Sequence, residues 1–385
     1  MFSGKVMNIW KSIGSFNNST RRINFSMLKR TIGSSKSFKM EQLAMDKERK
    51  EFLQSCEGCI YSRLAQSKLN EIQESSDRMK LVLDENLKGG KFNRGVTTVL
   101  AYKYVEAPEN ITDEKLRIAQ SLGWCIEMLQ TYFLILDDIM DGSQMRRGKP
   151  CWYLREGSSM DLAINDSIML YGFMAETLKG SVGNLPNYPH YINIFNETLI
   201  YTVMGQHLDI VTGRKDYSLF TMERYNSIVK YKTAFYTYKL PVTLGILLAN
   251  QMNEETSRVV EDISLSLGKL FQIQDDYIDC FGDESRTGKV GTDIQDGKCS
   301  WLAVKALERC STKQLTVFSA CYASKEPAHM ERVKQLYKEL QIPKYYKEEE
   351  NAIYSHVVEK IESVKSDDVR KIFQELLDLT YKREN

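Results

Sequence analysis

Apolar residues recur every three or four positions along most of the chain after residue 40. Between Thr112 and Leu136 the stripe is clearest, with Leu116, Ala119, Leu122, Ile126, Leu129, Phe133 and Leu136 on one face, the period of an amphipathic helix. Thr112 is the predicted N-cap, and Asp113 and Glu114 place acid in the first turn, where it complements the helix dipole. Similar periodicity marks residues 43–66, 68–87, 160–178, 191–212, 254–280, 301–322, 329–340 and 352–381. No run alternates with a strand's period over a useful length. Breaks fall at Gly89-Gly90, Pro108, Pro150, Asn184 to Pro189, Gly282 to Gly297, Pro327 and Pro343. The pattern predicts an all-α protein, about a dozen helices in one bundle over residues 41–385, with no linker, repeat or low-complexity block to divide it.

Pro241 is the one proline inside a helical pattern, YKTAFYTYKLPVTLGILL. A mid-helix proline removes one backbone bond and clashes with the carbonyl four residues earlier, here Thr237. A kink is expected there, with carbonyls left without helical partners.

The acidic positions change the picture. Gln130 to Arg147 reads QTYFLILDDIMDGSQMRR. Asp137 and Asp141 are four apart and share a helix face with Gln130, while Asp138 sits about 100° round. Like charges at this spacing destabilise a helix, and carboxylates ending an apolar run resist ionising together. A cation belongs between them. The pattern recurs in QIQDDYID, where Gln272, Asp275 and Asp279 form a matching stripe beside Asp276. One DDxxD is expected by chance about 0.1 times in a chain of this length, so two copies argue against a pair of solvated acidic helix ends. Oxygen-only ligands suit a hard cation such as Mg²⁺, shared with substrate phosphates.

Counter-charges accompany the motifs. Lys91 and Arg94 lie in KGGKFNRG, Arg146 and Arg147 follow the first motif, Lys232 and Thr233 open the proline-bearing helix, and Lys289 and Lys298 flank GTDIQDGK. Each alone reads as a surface charge. Together they read as sites for two diphosphates, one gripped through metals and one by bare Lys and Arg. Phe133 is one turn before Asp137 and lines a pocket below the metals, whereas Tyr132 is about 140° from Asp137, so geometry alone does not place it there.

Composition narrows the alternatives. The chain has 385 residues, a formal net charge of +1 and 42% hydrophobic residues, so bulk charge points to no nucleic-acid partner. No run of 18 apolar residues predicts a membrane span. The eight cysteines include one close pair, Cys56 and Cys59, which lacks the further ligands zinc needs. Residues 1–40 hold eight Lys/Arg, eight Ser and no acid, the composition of a mitochondrial transit peptide or of a basic tail.

Taken together, GGKFNRG, LDDIMDGSQMRRGKPCWY, GQHLD, YKTAFY, FQIQDDYIDCFGD with TGKVGTDIQDGKCSWL, and the final YKR resemble the farnesyl diphosphate synthases, short-chain trans-isoprenyl diphosphate synthases, over residues 85–383. The resemblance implies an isoprenoid-synthase helical bundle with a central active-site cavity, and a homodimer. It implies condensation of isopentenyl diphosphate with dimethylallyl and then geranyl diphosphate. Mg²⁺ (three ions, with Mn²⁺ or Co²⁺ as substitutes) would be held by Asp137, Asp141 and Asp275, with Asp138, Asp276 and Asp279 supporting. Arg146, Lys232, Lys289 and Lys298 would contact the allylic diphosphate, and Lys91, Arg94, Gln130 and Arg147 the isopentenyl diphosphate. Thr233 and Gln272 would face the allylic cation, and Tyr132 and Phe133 would limit chain length.

Three positions depart from that pattern. Lys239 stands where relatives carry an aromatic, on the stripe of Lys232, and is expected to reach the cavity. Gly142 is expected to loosen the turn after the first motif. The chain ends Glu384-Asn385, which implies a weaker C-terminal closing contact. Two rival readings remain: a terpene synthase on the same fold, which needs no isopentenyl site, and a non-catalytic regulatory or binding subunit, which needs neither motif intact.

Overall fold

The computed structural model describes residues 45–213, 216–282 and 291–381. The expected leader, Lys289 and the terminal Glu384-Asn385 lie outside them. The chain divides into two units, Met1–Lys50 and Glu51–Asn385, and the second carries everything that follows.

That unit is helical, as the periodicity predicts. Its principal early helices are α1 (Gln73–Val82), α2 (Asn93–Val105), α3 (Asp113–Asp141), α4 (Met160–Val182) and α5 (Tyr188–Thr212). Next come α6 (Met222–Ile228), a π-helical stretch Val229–Lys239, α7 (Leu240–Leu248) and α8 (Glu254–Phe281). After the short α9 (Asp293–Asp296), the chain closes with α10 (Trp301–Leu307), α11 (Thr312–Cys321), α12 (Pro327–Glu339), α13 (Ile342–Glu362) and α14 (Asp367–Tyr381). Among the described residues, extended structure amounts to one antiparallel pair, β1 (Met145–Arg146) and β2 (Lys149–Pro150), with Met145 opposite Pro150.

Local chemistry sets the boundaries. Thr112 caps α3 by accepting the Lys115 N–H at 3.2 Å. Gly142 ends α3 at φ 65°, returning its N–H to the carbonyls of Asp138 and Ile139. A left-handed residue at that position is where glycine is favoured, so Gly142 closes the helix rather than loosening the turn. The single pattern over 301–322 is two helices, because Ser311 and Gln314 form a capping box that starts α11 afresh. Residues 352–381 likewise divide between α13 and α14, where the Ser366 hydroxyl accepts the Val369 N–H.

Pro241 breaks no helix. Instead the eleven residues Val229–Lys239, ending two positions before it, are wound as a π-helix, and the Leu240 N–H reaches back to the Phe235 carbonyl. Wider turns relieve the clash between the proline ring and the preceding turn, so the expected kink is spread over Val229–Lys239. The consequence is positional, since Lys232, Thr233, Tyr236 and Thr237 all lie on this stretch. It packs against α5 and α8, α7 continues it against α2, and α2 packs on α3. One continuous wall therefore joins the two helices that carry the acidic motifs. Behind it, Phe52 and Trp124 are fully buried and stacked with ring centroids 4.4 Å apart.

Candidate active site

The first acidic motif ends α3, and lysines from two other segments meet it. Lys232 Nζ lies 3.2 Å from Asp137 Oδ1 and donates to Asp209 Oδ2 at 2.6 Å. Lys298 Nζ donates to Asp141 Oδ2 at 2.7 Å and to the same Asp209 oxygen at 3.1 Å. Charges thus alternate in a row: Asp137, Lys232, Asp209, Lys298, Asp141. Burial opposes ionisation of Asp209, but Lys232 and Lys298 outweigh it and hold the carboxyl well below its usual range. Burial opposes Asp137 too, yet Lys232, Lys298 and Arg146 lower it. For Asp141 burial prevails over Lys298, Asp137 adds repulsion, and the carboxyl is raised.

Asp138 turns the other way. It is buried, and Arg146 donates to it from Nε at 3.0 and 3.2 Å and from Nη2 at 2.5 Å. Arg146 Nη2 also lies 3.8 Å from Asp137. Both oxygens of Asp138 are therefore engaged in orienting a guanidinium.

On α8 the second motif is divided in the same manner. Asp276 points into the core, accepting Gln272 Nε2 at 2.9 Å and the Trp301 N–H at 2.7 Å. Burial pushes its carboxyl up to about 7 despite those donors. Asp279 accepts the backbone N–H groups of Thr292 at 3.3 Å and Asp293 at 3.0 Å, fastening the end of α8 to the start of α9. Asp275 lies half-buried.

Two short segments tie the motif helices together. Lys232 meets Asp137, while its neighbour Thr233 donates to Gln272 Oε1 at 2.9 Å. Lys298 meets Asp141, while the Trp301 N–H three residues on meets Asp276.

A separate basic pocket opens at the start of α2. Arg94 donates to Gln130 Oε1 at 2.5 Å, to Thr237 Oγ1 at 2.8 Å and to Tyr236 Oη at 3.1 Å, and lies over the Tyr236 ring. Arg147, at φ 52°, donates to the carbonyls of Asn86 at 3.3 Å and Lys88 at 3.4 Å. Lys91 is exposed on the same turn. Behind them Glu127 is buried and accepts the Gly95 N–H at 2.9 Å. Burial raises its carboxyl, although Arg94 and Arg147 pull the other way.

Aromatic rings continue down from the motif. Phe133 meets Tyr236 at 5.7 Å between centroids, and Tyr132 meets Phe133 at 5.3 Å and Tyr171 at 5.4 Å. Both residues are half-buried. Lys239 does not extend this lining. Its ammonium donates to Glu261 at 2.7 Å and lies 5.0 Å from the Phe235 ring, because the π-helical winding moves it off the stripe an α-helix would share with Lys232.

Asp209 ends the GQHLD motif, but spacing gives neither it nor Glu127 a role. A signal for Asp209 exists: Tyr188–Thr212 contains no Lys or Arg, and Asp209 is one of its two acids. All-oxygen ligands and the buried Asp137 Oδ1, on which no hydrogen bond is aligned, fit a hard cation. Among the described residues no three carboxylates, thiols or imidazoles converge to hold a metal alone, so such an ion needs further oxygens from a phosphate.

The polyprenyl synthetase family model matches residues 76–340. The farnesyl pyrophosphate synthase of Gallus gallus is 43% identical over 317 residues, 82% of this chain and 86% of its own length. The Homo sapiens farnesyl pyrophosphate synthase is 42% identical over 81% of this chain and 75% of its own length, and the mitochondrial farnesyl pyrophosphate synthase 1 of Arabidopsis thaliana is 41% identical over 82% of each. Among solved structures, T. brucei farnesyl diphosphate synthase complexed with risedronate superposes with a TM-score of 0.78 at 32% identity, covering 90% of this chain and 99% of that one. The bundle is thus the all-α isoprenoid-synthase fold, and the chain belongs to the polyprenyl synthetase family.

Proposed function

We propose that the protein is a farnesyl diphosphate synthase, condensing isopentenyl diphosphate head to tail with dimethylallyl and then geranyl diphosphate and releasing pyrophosphate. The observation that carries this is the pairing of two sites on one wall: the acidic–basic row at Asp137, Asp209 and Asp141, and the separate basic pocket of Arg94, Gln130 and Arg147. The relatives that bear this name support it.

Mg²⁺, held by Asp137, Asp141 and Asp275 together with diphosphate oxygens, would supply charge that stabilises the leaving pyrophosphate. Lys232, Lys298 and Arg146 add fixed cations at the same leaving group, and Lys289 is assigned there by resemblance. Asp138 holds Arg146 at its post, while Asp276 and Asp279 hold α8 against α9 and α10. As the allylic C–O bond breaks, Thr233, Gln272 and the π-helical backbone present oxygen dipoles to the carbocation. Lys91, Arg94, Gln130 and Arg147 hold the isopentenyl diphosphate so that its double bond meets that carbon. The new C–C bond forms, and the proton lost from the adjacent carbon passes to the departing pyrophosphate. Rings of Tyr132, Phe133 and Tyr236 keep water from the cation and stop elongation at the farnesyl, or geranyl, length.

The Arg94–Gln130 pocket has no task in a terpene synthase that ionises a single substrate, and intact motifs have none in a regulatory subunit. The acid-free leader supports mitochondrial import, as does the mitochondrial Arabidopsis relative. Exposed Ile164, Ile168, Ile200, Val203 and Met204 on α4 and α5 support a homodimer. The test is incubation of pure protein with Mg²⁺, dimethylallyl diphosphate and labelled isopentenyl diphosphate. Label in farnesyl diphosphate is the expected result, and no incorporation defeats the reading.

A further inference from the structure

Asp209 is the carboxylate shared by both lysines of the row, and its helix is shaped to reach them. Gly205, Asp209 and Gly213 are four apart and lie on one stripe of α5 and its end. At Gly205 the neighbouring backbone is so close that an added Cβ would sit 2.1 Å from Lys232 N and 2.6 Å from its Cα. Gly213 returns its N–H to the Asp209 carbonyl, and there an added Cβ would sit 3.3 Å from the carbonyl oxygen of Gly297, the residue before Lys298. Two glycines therefore let the lysine-bearing segments dock one turn on either side of the carboxylate that both lysines share.

We propose that Asp209 is a positioning residue: the fixed counter-charge on which Lys232 and Lys298 stay tethered when Asp137 and Asp141 release them to take up metal, so that both ammonium groups remain aimed at the allylic diphosphate. An ammonium has three N–H donors. Lys298 uses one on Asp141 and one on Asp209. Loss of Asp141 to a metal thus frees a donor without freeing the side chain, and the same holds for Lys232. Without the tether, a flexible four-carbon stem would have to be ordered anew at each substrate encounter. The inference rests on the allylic-site reading above and deepens it.

The test uses the full chain carrying Asp209→Asn, which keeps shape and removes charge. With geranyl and isopentenyl diphosphates varied separately, kcat/KM for the allylic substrate should fall by about tenfold or more while KM for isopentenyl diphosphate moves less than about twofold. Calorimetric binding of inorganic pyrophosphate with Mg²⁺ should weaken by about tenfold. In a Lys298→Gln background the Asp209→Asn penalty should shrink, since the residue acts through that lysine. Unchanged allylic kinetics, equal rises in both KM values, or the same penalty in both backgrounds would overturn the proposal. Should Asp209→Asn fail to fold, Asp209→Glu keeps the charge but moves it, and the same selective loss is expected. Wild-type protein that couples no substrate defeats the functional reading itself, and that outcome is seen before any variant is compared.

Discussion

Glu127 sits behind the Arg94–Arg147 pocket with its carboxyl raised, chiefly by burial. A raised folded-state value means that its contribution to stability is complete below the unfolded value, about 4.3, and is lost as pH rises through the folded one. Glu127→Gln keeps an oxygen for the Gly95 N–H and removes the ionisation. Thermal unfolding followed by circular dichroism across pH should therefore show a shallower loss of Tm above about pH 4.3 in the variant. Identical slopes would mean that Glu127 does not titrate as the packing requires. Phe133 and Tyr132 lend themselves to a second measurement. Replacing both with Ala removes the rings that meet Tyr236 and Tyr171, and products longer than farnesyl are expected by mass analysis. Unchanged chain length would assign the stop to other side chains. At this scale the sequence shows which residues gather but not which way each turns. The helical period separates the faces of adjacent Asp137 and Asp138 but not their partners: Asp137 meets Lys232 while Asp138 is committed to Arg146. That choice depends on where Arg146 is brought by β1, a long-range matter that local spacing does not encode.

At the element scale, the helical period and the Thr112 cap were legible because both are local. Asn253 and Ser311 also cap the helices they precede, but these two caps emerge only in the folded chain. The divisions within 301–322 and 352–381 were less visible, since the apolar stripe continues across each break. The π-helical stretch was hidden altogether: a period of 3.6 fits YKTAFYTYK as well as a wider winding does, and only packing against α5 and α8 decides between them. That winding is why Lys239 meets Glu261 instead of the cavity. Gly142 tests the element boundary directly. Nothing lies within 4 Å of an added Cβ there, so Gly142→Ala meets only the left-handed backbone at φ 65°. The expected cost is about 1 kcal/mol in chemical denaturation, with Asn tolerated better than Ala. Equal stability of Gly, Asn and Ala would show that α3 ends by some other device.

For the whole molecule, the remaining feature is an apolar face that the single chain leaves in water. Met160, Ile164 and Ile168 form one stripe of α4, with Ile168 58% exposed, and Ile200, Val203 and Met204 form another on α5, with Ile200 54% exposed. Large aliphatic side chains at i, i+4, i+8 and i, i+3, i+4 are the spacing of a helix face made to be covered, and a two-fold pairing would cover both copies at once. Wild-type protein is expected to sediment at twice the chain mass, and Ile168→Lys with Ile200→Lys at the mass of one chain, because a charge in a desolvated interface is left unpaired. Lys232, Lys298, Asp137, Asp141 and Asp209 all belong to one chain. The monomeric variant should therefore bind inorganic pyrophosphate with Mg²⁺ within about twofold of wild type, as distant sites usually behave independently. Binding that disappears along with the dimer would instead mean that pairing is what holds α4 and α5, and with α5 the Asp209 tether, in place.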